Sequence, residues 1–331
     1  MQAFVLTKYG DPLQLRDMPE PQLGSRDVLV RIEAASVNQI DEKIRTGEFK
    51  QILPYALPQT LGHDLAGEVI RVGGSVTKFV AGDKVYSSPS QAQLGSFTSL
   101  IAIDEADLAH RPSNVTAAEA GSLPLVALTA WQALVERGQV KPGQKVLIHA
   151  GAGGVGSIAI QLAKHLGATV ATTASASNLE FVRGLGADVA IDYRNEDFES
   201  MLSGYDFVLD SLGGENLEKS LRILRPGGKV VGISGPPDPA FARTAGLGLI
   251  MRLAIAGLSR KIRKLASRLG VQYEFLFMHP SGEQLAQITA LVENGALRPV
   301  LASTFPFEKT PEALETLQAG GFRGKVVVLS A

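Results

Sequence analysis

The sequence predicts an α/β protein in two parts: a β-rich, barrel-like domain and a doubly wound parallel sheet. Three observations carry this expectation. Short segments with a period of two, punctuated by Gly and Pro, fill the first hundred or so residues. From Lys145 to Ser234 the pattern changes to strand, helix, strand, repeated. A glycine run, Gly151–Gly156, sits at the first strand-to-helix junction of that series. With 331 residues, 45% hydrophobic and 20% charged, the chain is long and apolar enough for two cores.

In the first part, Val28, Val30 and Ile32 alternate with Leu29, Arg31 and Glu33, and GEVIRVG (67–73) and DKVYSS (83–88) are further strands. Near Ala117 the character changes. TAAEAGSLPLVALTAWQALVERGQV reads as helix, interrupted at Pro124. KVLIHA (145–150) is a continuous apolar strand of the kind buried on both faces. After it, Val155, Ile158, Ala159, Leu162, Ala163 and Leu166 form one helical face. ATVATT (168–173) is the next strand, and SNLEFVRGLG is a helix closed by glycine. DVAIDY, DFVLDSL and GGKVVGIS continue the series, and PPDP breaks it. Residues 240–269 have a helical pattern without a single acid. EQLAQITALVENGALRP is an amphipathic helix, and GKVVVLS is a last strand expected to rejoin the first domain.

Composition removes several function classes. There is no cysteine, so disulfides, thiol catalysis and thiolate metal sites are excluded. The formal net charge of −1 offers no global basic field for nucleic acid, and none is expected as a partner. MQAFVLTKYGDP lacks the features of a signal peptide, and no apolar run has transmembrane length. The expected address is the cytoplasm.

Gly151-Ala152-Gly153-Gly154-Val155-Gly156 fits G-x-G-x-x-G directly after a strand and directly before a helix. In that setting glycines let the backbone approach a pyrophosphate, and the helix N-terminus offers free N–H groups. The competing interpretation is an ordinary tight turn. An NAD site commonly places an acid about 20 residues beyond the glycines. Here the next strand ends in Thr172-Thr173-Ala174-Ser175-Ala176-Ser177-Asn178, with no carboxylate before Glu180. The absence of an acid favours the 2′-phosphate of NADP(H). No Arg or Lys stands in that loop, and Ser175 and Ser177 also read as helix caps.

Several blocks in order complete the pattern: AASVNQIDEKIRTG (34–47), LGHDLAGEV (61–69), AGDKVY (81–86), LPLVALTAWQAL (123–134), VLIHAGAGGVG (146–156), LGADVAIDYRNEDF (185–198), LDSLGGE (209–215) and FRGKVVVL (322–329). Together they resemble the zinc-independent quinone and enone oxidoreductase branch of the medium-chain dehydrogenase/reductase family. The resemblance implies a GroES-like β-rich catalytic domain at 1–123, completed by 275–331, and a Rossmann nucleotide-binding domain at 124–274, with the active site in the cleft. It implies that Thr129 and the Gly151–Gly156 loop line the cofactor, and that Ser175 and Tyr193 lie near the adenosine 2′-phosphate. Leu212, Gly213, the segment around Ser234, Phe275 and Phe277 would flank the nicotinamide half, and Lys325 would reach the cofactor. Asn38, Asp41 and Lys43 would border nicotinamide and substrate as the catalytic set. By themselves these residues also read otherwise: Asp41 as a helix cap, Asn38 as a turn residue, Lys43 as a solvated charge, Tyr193 as a strand-end residue.

The family's zinc branch uses Cys and His ligands. Here His63 stands in the histidine motif, while Asn38 and Leu125 take the cysteine positions. One imidazole without a thiolate partner is not a tetrahedral site, so no metal is expected and His63 reads as a hydrogen-bonded structural residue. Without a Lewis acid, acceptors that already take hydride readily become the expected substrates: quinones and α,β-unsaturated ketones or aldehydes. The expected chemistry is hydride transfer from NADPH, with Lys43, alone or with Asn38, stabilising negative charge on the acceptor oxygen. The alternative function is an NADPH-binding redox sensor or assembly protein with little turnover. The acid-free segment GLGLIMRLAIAGLSRKIRKLASRLG is open to three readings: contact with a membrane surface, an access route for a lipophilic substrate, or a packed helix with a solvated basic edge. A homodimer is expected from the resemblance.

Overall fold

The alternation read at Val28–Glu33 lies within the longest strand of the computed structural model, which describes residues 1–330. The chain begins with β1 (Gln2–Leu6) and β2 (Gln14–Asp17), followed by that strand, β3 (Asp27–Ser36), then α1 (Gln39–Arg45), β4 (Gln59–Thr60), β5 (Leu65–Val72), β6 (Lys84–Ser87), β7 (Leu100–Asp104) and β8 (Leu108–His110). Val28, Val30 and Ile32 point into the core and Arg31 is exposed, but Leu29 is buried as well, as are Ala34, Ala35 and Ser36, so the period of two holds only from Val30 to Ala34. β1 joins β2 and β4 in a small antiparallel sheet. β3 pairs antiparallel with β5 and β7, and the sheet continues through β6 to β8.

The helical stretch after Thr116 is two helices, α2 (Ala117–Gly121) and α3 (Pro124–Trp131), the second running on as a π-helical turn over Gln132–Arg137. Pro124 opens α3, where a missing N–H costs nothing. Next come β9 (Lys145–Ile148), α4 (Gly154–His165), β10 (Thr169–Ala174), α5 (Leu179–Gly184), β11 (Val189–Asp192), α6 (Phe198–Met201), β12 (Tyr205–Asp210), α7 (Gly214–Arg222) and β13 (Leu224–Gly232). After α8 (Pro239–Thr244), α9 (Leu249–Leu258) and α10 (Arg260–Leu269), β14 (Gln272–Phe275) closes the series. The six strands lie in the order β11-β10-β9-β12-β13-β14 and every pair is parallel. This is the doubly wound order of a Rossmann sheet, whose ligands bind beyond the carboxyl ends of the strands.

The chain ends with α11 (Gly282–Glu293), β15 (Leu301–Pro306), α12 (Thr310–Ala319) and β16 (Lys325–Leu329). β16 pairs parallel with β15 and antiparallel with β3, so the C-terminal strands extend the sheet of β3. Two compact units result: Met1–Leu128 together with the segment from His279 onward, and Thr129–Met278. The first has a core containing Phe4, Val30, Leu65, Phe97, Ile103 and Val328, with Phe4 edge-on to Phe307 at 5.2 Å. The second packs Leu147, Val208, Leu217, Leu221, Val230 and Ile262 around its parallel sheet.

Candidate functional site

The loop after β9 is shaped by what its glycines leave out. A Cβ at Gly151 would meet Thr172 Oγ1 at 2.1 Å, and one at Gly156 would meet the Ala150 carbonyl oxygen at 2.3 Å. Both glycines are therefore required for α4 to approach the sheet. Gly153 differs: a Cβ there would meet only the Ala150 oxygen, at 3.3 Å. Gly153 is the residue that caps α4, and it brings no side chain to the helix end. The N–H groups of Gly154, Val155 and Gly156 in the first turn have no carbonyl within the helix to bond. With the helix dipole they form a seat for an anion. Ala152 is buried behind them. Thr129 is also buried, within α3.

Beneath this loop runs a buried polar chain. His149 places Nδ1 3.0 Å from Thr173 Oγ1 and Nε2 2.9 Å from Ser220 Oγ. Ser220 Oγ in turn donates to Asp210 Oδ2 at 3.4 Å. Burial lowers the His149 pKa to about 4, so the ring is neutral and serves as a strut. Asp210 accepts from the N–H of Gly213 at 2.7 Å and of Leu212 at 3.2 Å, fixing the loop after β12. Burial nevertheless raises the Asp210 pKa. Gly213 has φ +69°, and a Cβ there would stand 2.8 Å from the Ser234 carbonyl oxygen. Leu212 and Ser234 are exposed. Phe275 and Phe277 pack around Phe241, with centroids at 5.2 and 5.8 Å. Leu212, Gly213, Ser234, Phe275 and Phe277 lie at or just beyond the carboxyl ends of β12, β13 and β14.

Ser175 follows β10 and Tyr193 follows β11. The two strands are adjacent, with Ala174 opposite Asp192, and the Tyr193 N–H donates to the Ala174 oxygen at 3.2 Å. Ser175 accepts from Asn178 Nδ2 at 3.1 Å and lies 3.3 Å from Ser177 Oγ, while Tyr193 is 55% exposed. The pairing brings a cation that the linear reading missed. Arg194 donates to Tyr193 OH at 3.4 Å and lies over its ring. The loop after β10 has no basic residue of its own, but its neighbour in the sheet supplies one.

The catalytic candidates lie in the other unit. Asn38, Asp41 and Lys325 share one buried network with Ser36, His63 and Asp64. Asp41 uses both oxygens: Oδ2 accepts the Asn38 N–H at 2.8 Å, and Oδ1 lies 2.6 Å from His63 Nδ1. It thus closes the first turn of α1 from its third position, with Asn38 as the capping residue. Asp64 accepts from Ser36 Oγ at 2.6 Å, from Asn38 Nδ2 at 2.8 Å and from the Leu125 N–H at 2.6 Å. Lys325 Nζ donates to the Val37 oxygen at 2.9 Å, to Asn38 Oδ1, and to Asp64 Oδ2 at 3.4 Å. Burial lowers the Lys325 pKa against the opposing pull of the Asp64 and Asp41 charges. Lys43 stands apart from the network. Its ammonium is partly exposed, 3.3 Å from Glu48 Oε1 and 5.3 Å from the Phe49 ring centroid.

His63 Nε2 is buried without a hydrogen-bond partner among the described residues. One imidazole nitrogen does not fit a zinc ion: no thiolate is present, and the Asp64 carboxylate is already matched to a lysine cation. Among the described residues no three His, Cys, Asp or Glu side chains converge to hold a metal.

A model described as an alcohol dehydrogenase GroES-like domain matches residues 24–113, and one described as a zinc-binding dehydrogenase matches residues 185–328. A chloroplastic NADPH-dependent alkenal/one oxidoreductase of Arabidopsis thaliana is 36% identical, over 99% of this chain and 79% of its own. The chain belongs to the medium-chain dehydrogenase/reductase family. Its place is in the zinc-independent quinone and enone oxidoreductase branch. The 2-methylene-furan-3-one reductase of Solanum lycopersicum is 35% identical over the same shares of the two chains. The solved structure of the quinone oxidoreductase from Coxiella burnetii superposes with a TM-score of 0.86 at 33% identity, covering 99% of each chain.

Proposed function

We propose that the chain is an NADPH-dependent reductase that transfers hydride to quinones or α,β-unsaturated ketones and aldehydes without zinc. The observation that carries the proposal is the Gly151–Gly156 loop, open at Gly153 and facing the free N–H groups of α4. That loop fits a pyrophosphate, and the Arabidopsis relative, 36% identical, is named as NADPH-dependent. The first turn of α4 holds the pyrophosphate, and Ser175, Tyr193 and Arg194 receive the 2′-phosphate. Leu212, Gly213, Ser234, Phe275 and Phe277 flank the nicotinamide. When bound, NADPH supplies a hydride to an electrophilic carbon.

Lys43 is the group that stabilises the negative charge left on the acceptor's oxygen, since its ammonium is partly exposed and held by a half-exposed Glu48 at 3.3 Å and the face of Phe49. Water or Lys43 returns the proton that completes reduction. Asn38, Asp41 and Lys325 act through position: their polar atoms are already engaged with one another, with His63 and with Asp64. A homodimer through β14, an open edge of the parallel sheet, is part of the same proposal. Sedimentation only at the 35.0 kDa of one chain would refute the dimer.

Steady-state kinetics of Lys43→Ala test the chemical role. Turnover is expected to fall while NADPH affinity stays unchanged. Unaltered turnover removes Lys43 from the mechanism.

A further inference from the structure

No helix among the described residues is long and apolar enough to cross a membrane. One surface is nevertheless built unlike the rest of the protein. Between Asp238 and Glu274 the chain carries Arg243, Arg252, Arg260, Lys261, Arg263, Lys264 and Arg268 and no acid, although the formal net charge of the whole is −1. α10 buries Ile262 and Ala266 against the core of its unit, which turns Arg260, Lys261, Arg263, Lys264 and Arg268 outward. Lys261 pairs with Glu218, and Arg263 donates to the Ala256 oxygen at 2.9 Å, fastening α10 to the end of α9. Arg243, Arg252, Arg260, Lys264 and Arg268 have no acidic partner among the described residues.

α9 is the apolar half of this surface. Only Ile255 is buried. Leu249, Ile250, Leu253 and Leu258 are 70%, 86%, 65% and 68% exposed. At 100° per residue Leu249, Ile250, Leu253, Ala254 and Gly257 share one face, with Arg252 at its margin. Other exposed large apolar residues, such as Val80 and Met201, belong to separate elements or loops. Four of them on one ten-residue helix, bordered by unpaired cations, are more than the scatter of a normal surface.

We propose that α9 and α10 form a docking surface for an anionic phospholipid bilayer. Leu249, Ile250 and Leu253 enter the boundary between headgroups and acyl chains, while Arg252, Arg260, Lys264 and Arg268 meet the lipid phosphates. The charge decides between a bilayer and a second copy of the chain. A two-fold contact through this face would set two acid-free basic segments against each other, whereas an anionic surface neutralises them. Docking would bring the protein to membrane-dissolved acceptors, but the surface itself does not depend on the reductase proposal.

The test is co-sedimentation of the full chain with vesicles of phosphatidylcholine, with and without phosphatidylglycerol, at low and high salt. Binding is expected only with phosphatidylglycerol, and it should be lost at high salt. Ile250→Asp with Leu253→Asp, and separately Arg260→Gln with Lys264→Gln, should each lower that binding about tenfold or more. All four residues are exposed, so melting temperature and NADPH binding should stay as in the parent. No binding to anionic vesicles at low salt overturns the proposal, as does equal binding by both variants. A dimer abolished by Ile250→Asp with Leu253→Asp, in a protein that ignores vesicles, assigns the face to a second copy and also overturns it.

Discussion

Adding a single methyl group at Gly153 should damage cofactor binding while leaving the fold almost untouched. The backbone there is ordinary extended chain (φ −77°, ψ 177°), and the new Cβ would meet only the Ala150 oxygen at 3.3 Å. The cost to stability is the loss of a favoured capping residue, about 0.5–1 kcal/mol, or roughly 1–4 °C in melting temperature. Gly156→Ala is the opposite case. Its Cβ would stand 2.3 Å from the Ala150 oxygen and 2.8 Å from Gly151 Cα, so backbone must move. Overpacking of that kind costs about 1–3 kcal/mol. Under the proposed function, however, a methyl at Gly153 would stand at the cap of α4, beside the N–H groups that meet the pyrophosphate. Losing one hydrogen bond to a charged group costs about 1.5–3 kcal/mol, which is a roughly 10–100-fold weaker Kd. Fluorescence titration with NADPH, paired with thermal melts of both variants, reads the two effects separately. If Gly153→Ala melts like the parent and binds NADPH within about twofold of it, the seat is not at this loop.

Three further perturbations probe other parts of the molecule. Arg194→Ala should raise the KM for NADPH several-fold and leave that for NADH unchanged; a parallel rise in both would show that Arg194 does not meet the 2′-phosphate. His149, with a folded-state pKa of about 4, stays neutral while the unfolded chain takes up a proton near pH 6.5. Stability should therefore fall by about 3 kcal/mol as pH drops from 6.5 to 4, and His149→Asn should not show that component in urea unfolding across this range. Lys325→Met leaves the Asp64 carboxylate buried without its cation and should cost about 3–5 kcal/mol. Adding Asp64→Asn should restore part of that loss, and a single variant as stable as the parent would show that the ion pair does not support the fold.

The parallel sheet was legible because its strands are continuous apolar runs separated by amphipathic helices, and because Gly151–Gly156 marks the first turn. Asp41 also read as a helix cap, but for a helix starting at Glu42; the structure starts it at Gln39, with Asn38 as the cap and the Asp41 carboxylate reaching back to the Asn38 N–H. What linear reading missed depends on pairing. Arg194 comes beside the end of β10, where the proposed function puts the 2′-phosphate, only because β11 pairs with β10. Lys325 and Asp64 are 261 positions apart and meet only because β16 returns to β3. Asp64 itself was visible in LGHDLAG beside His63, but no local pattern indicates that a carboxylate there gathers Ser36, Asn38, Leu125 and Lys325. The stretch from Ala117 read as one helix with an interruption, and the structure makes it two, since Pro124 begins a new helix.

The most direct test of function is oxidation of NADPH by the purified protein in the presence of 2-alkenals, short enones and quinones, with NADH run in parallel. The expected result is turnover with at least one of these acceptors, faster with NADPH than with NADH. Firm NADPH binding with no oxidation by any acceptor would contradict a reductase and point to a protein that senses or carries the cofactor.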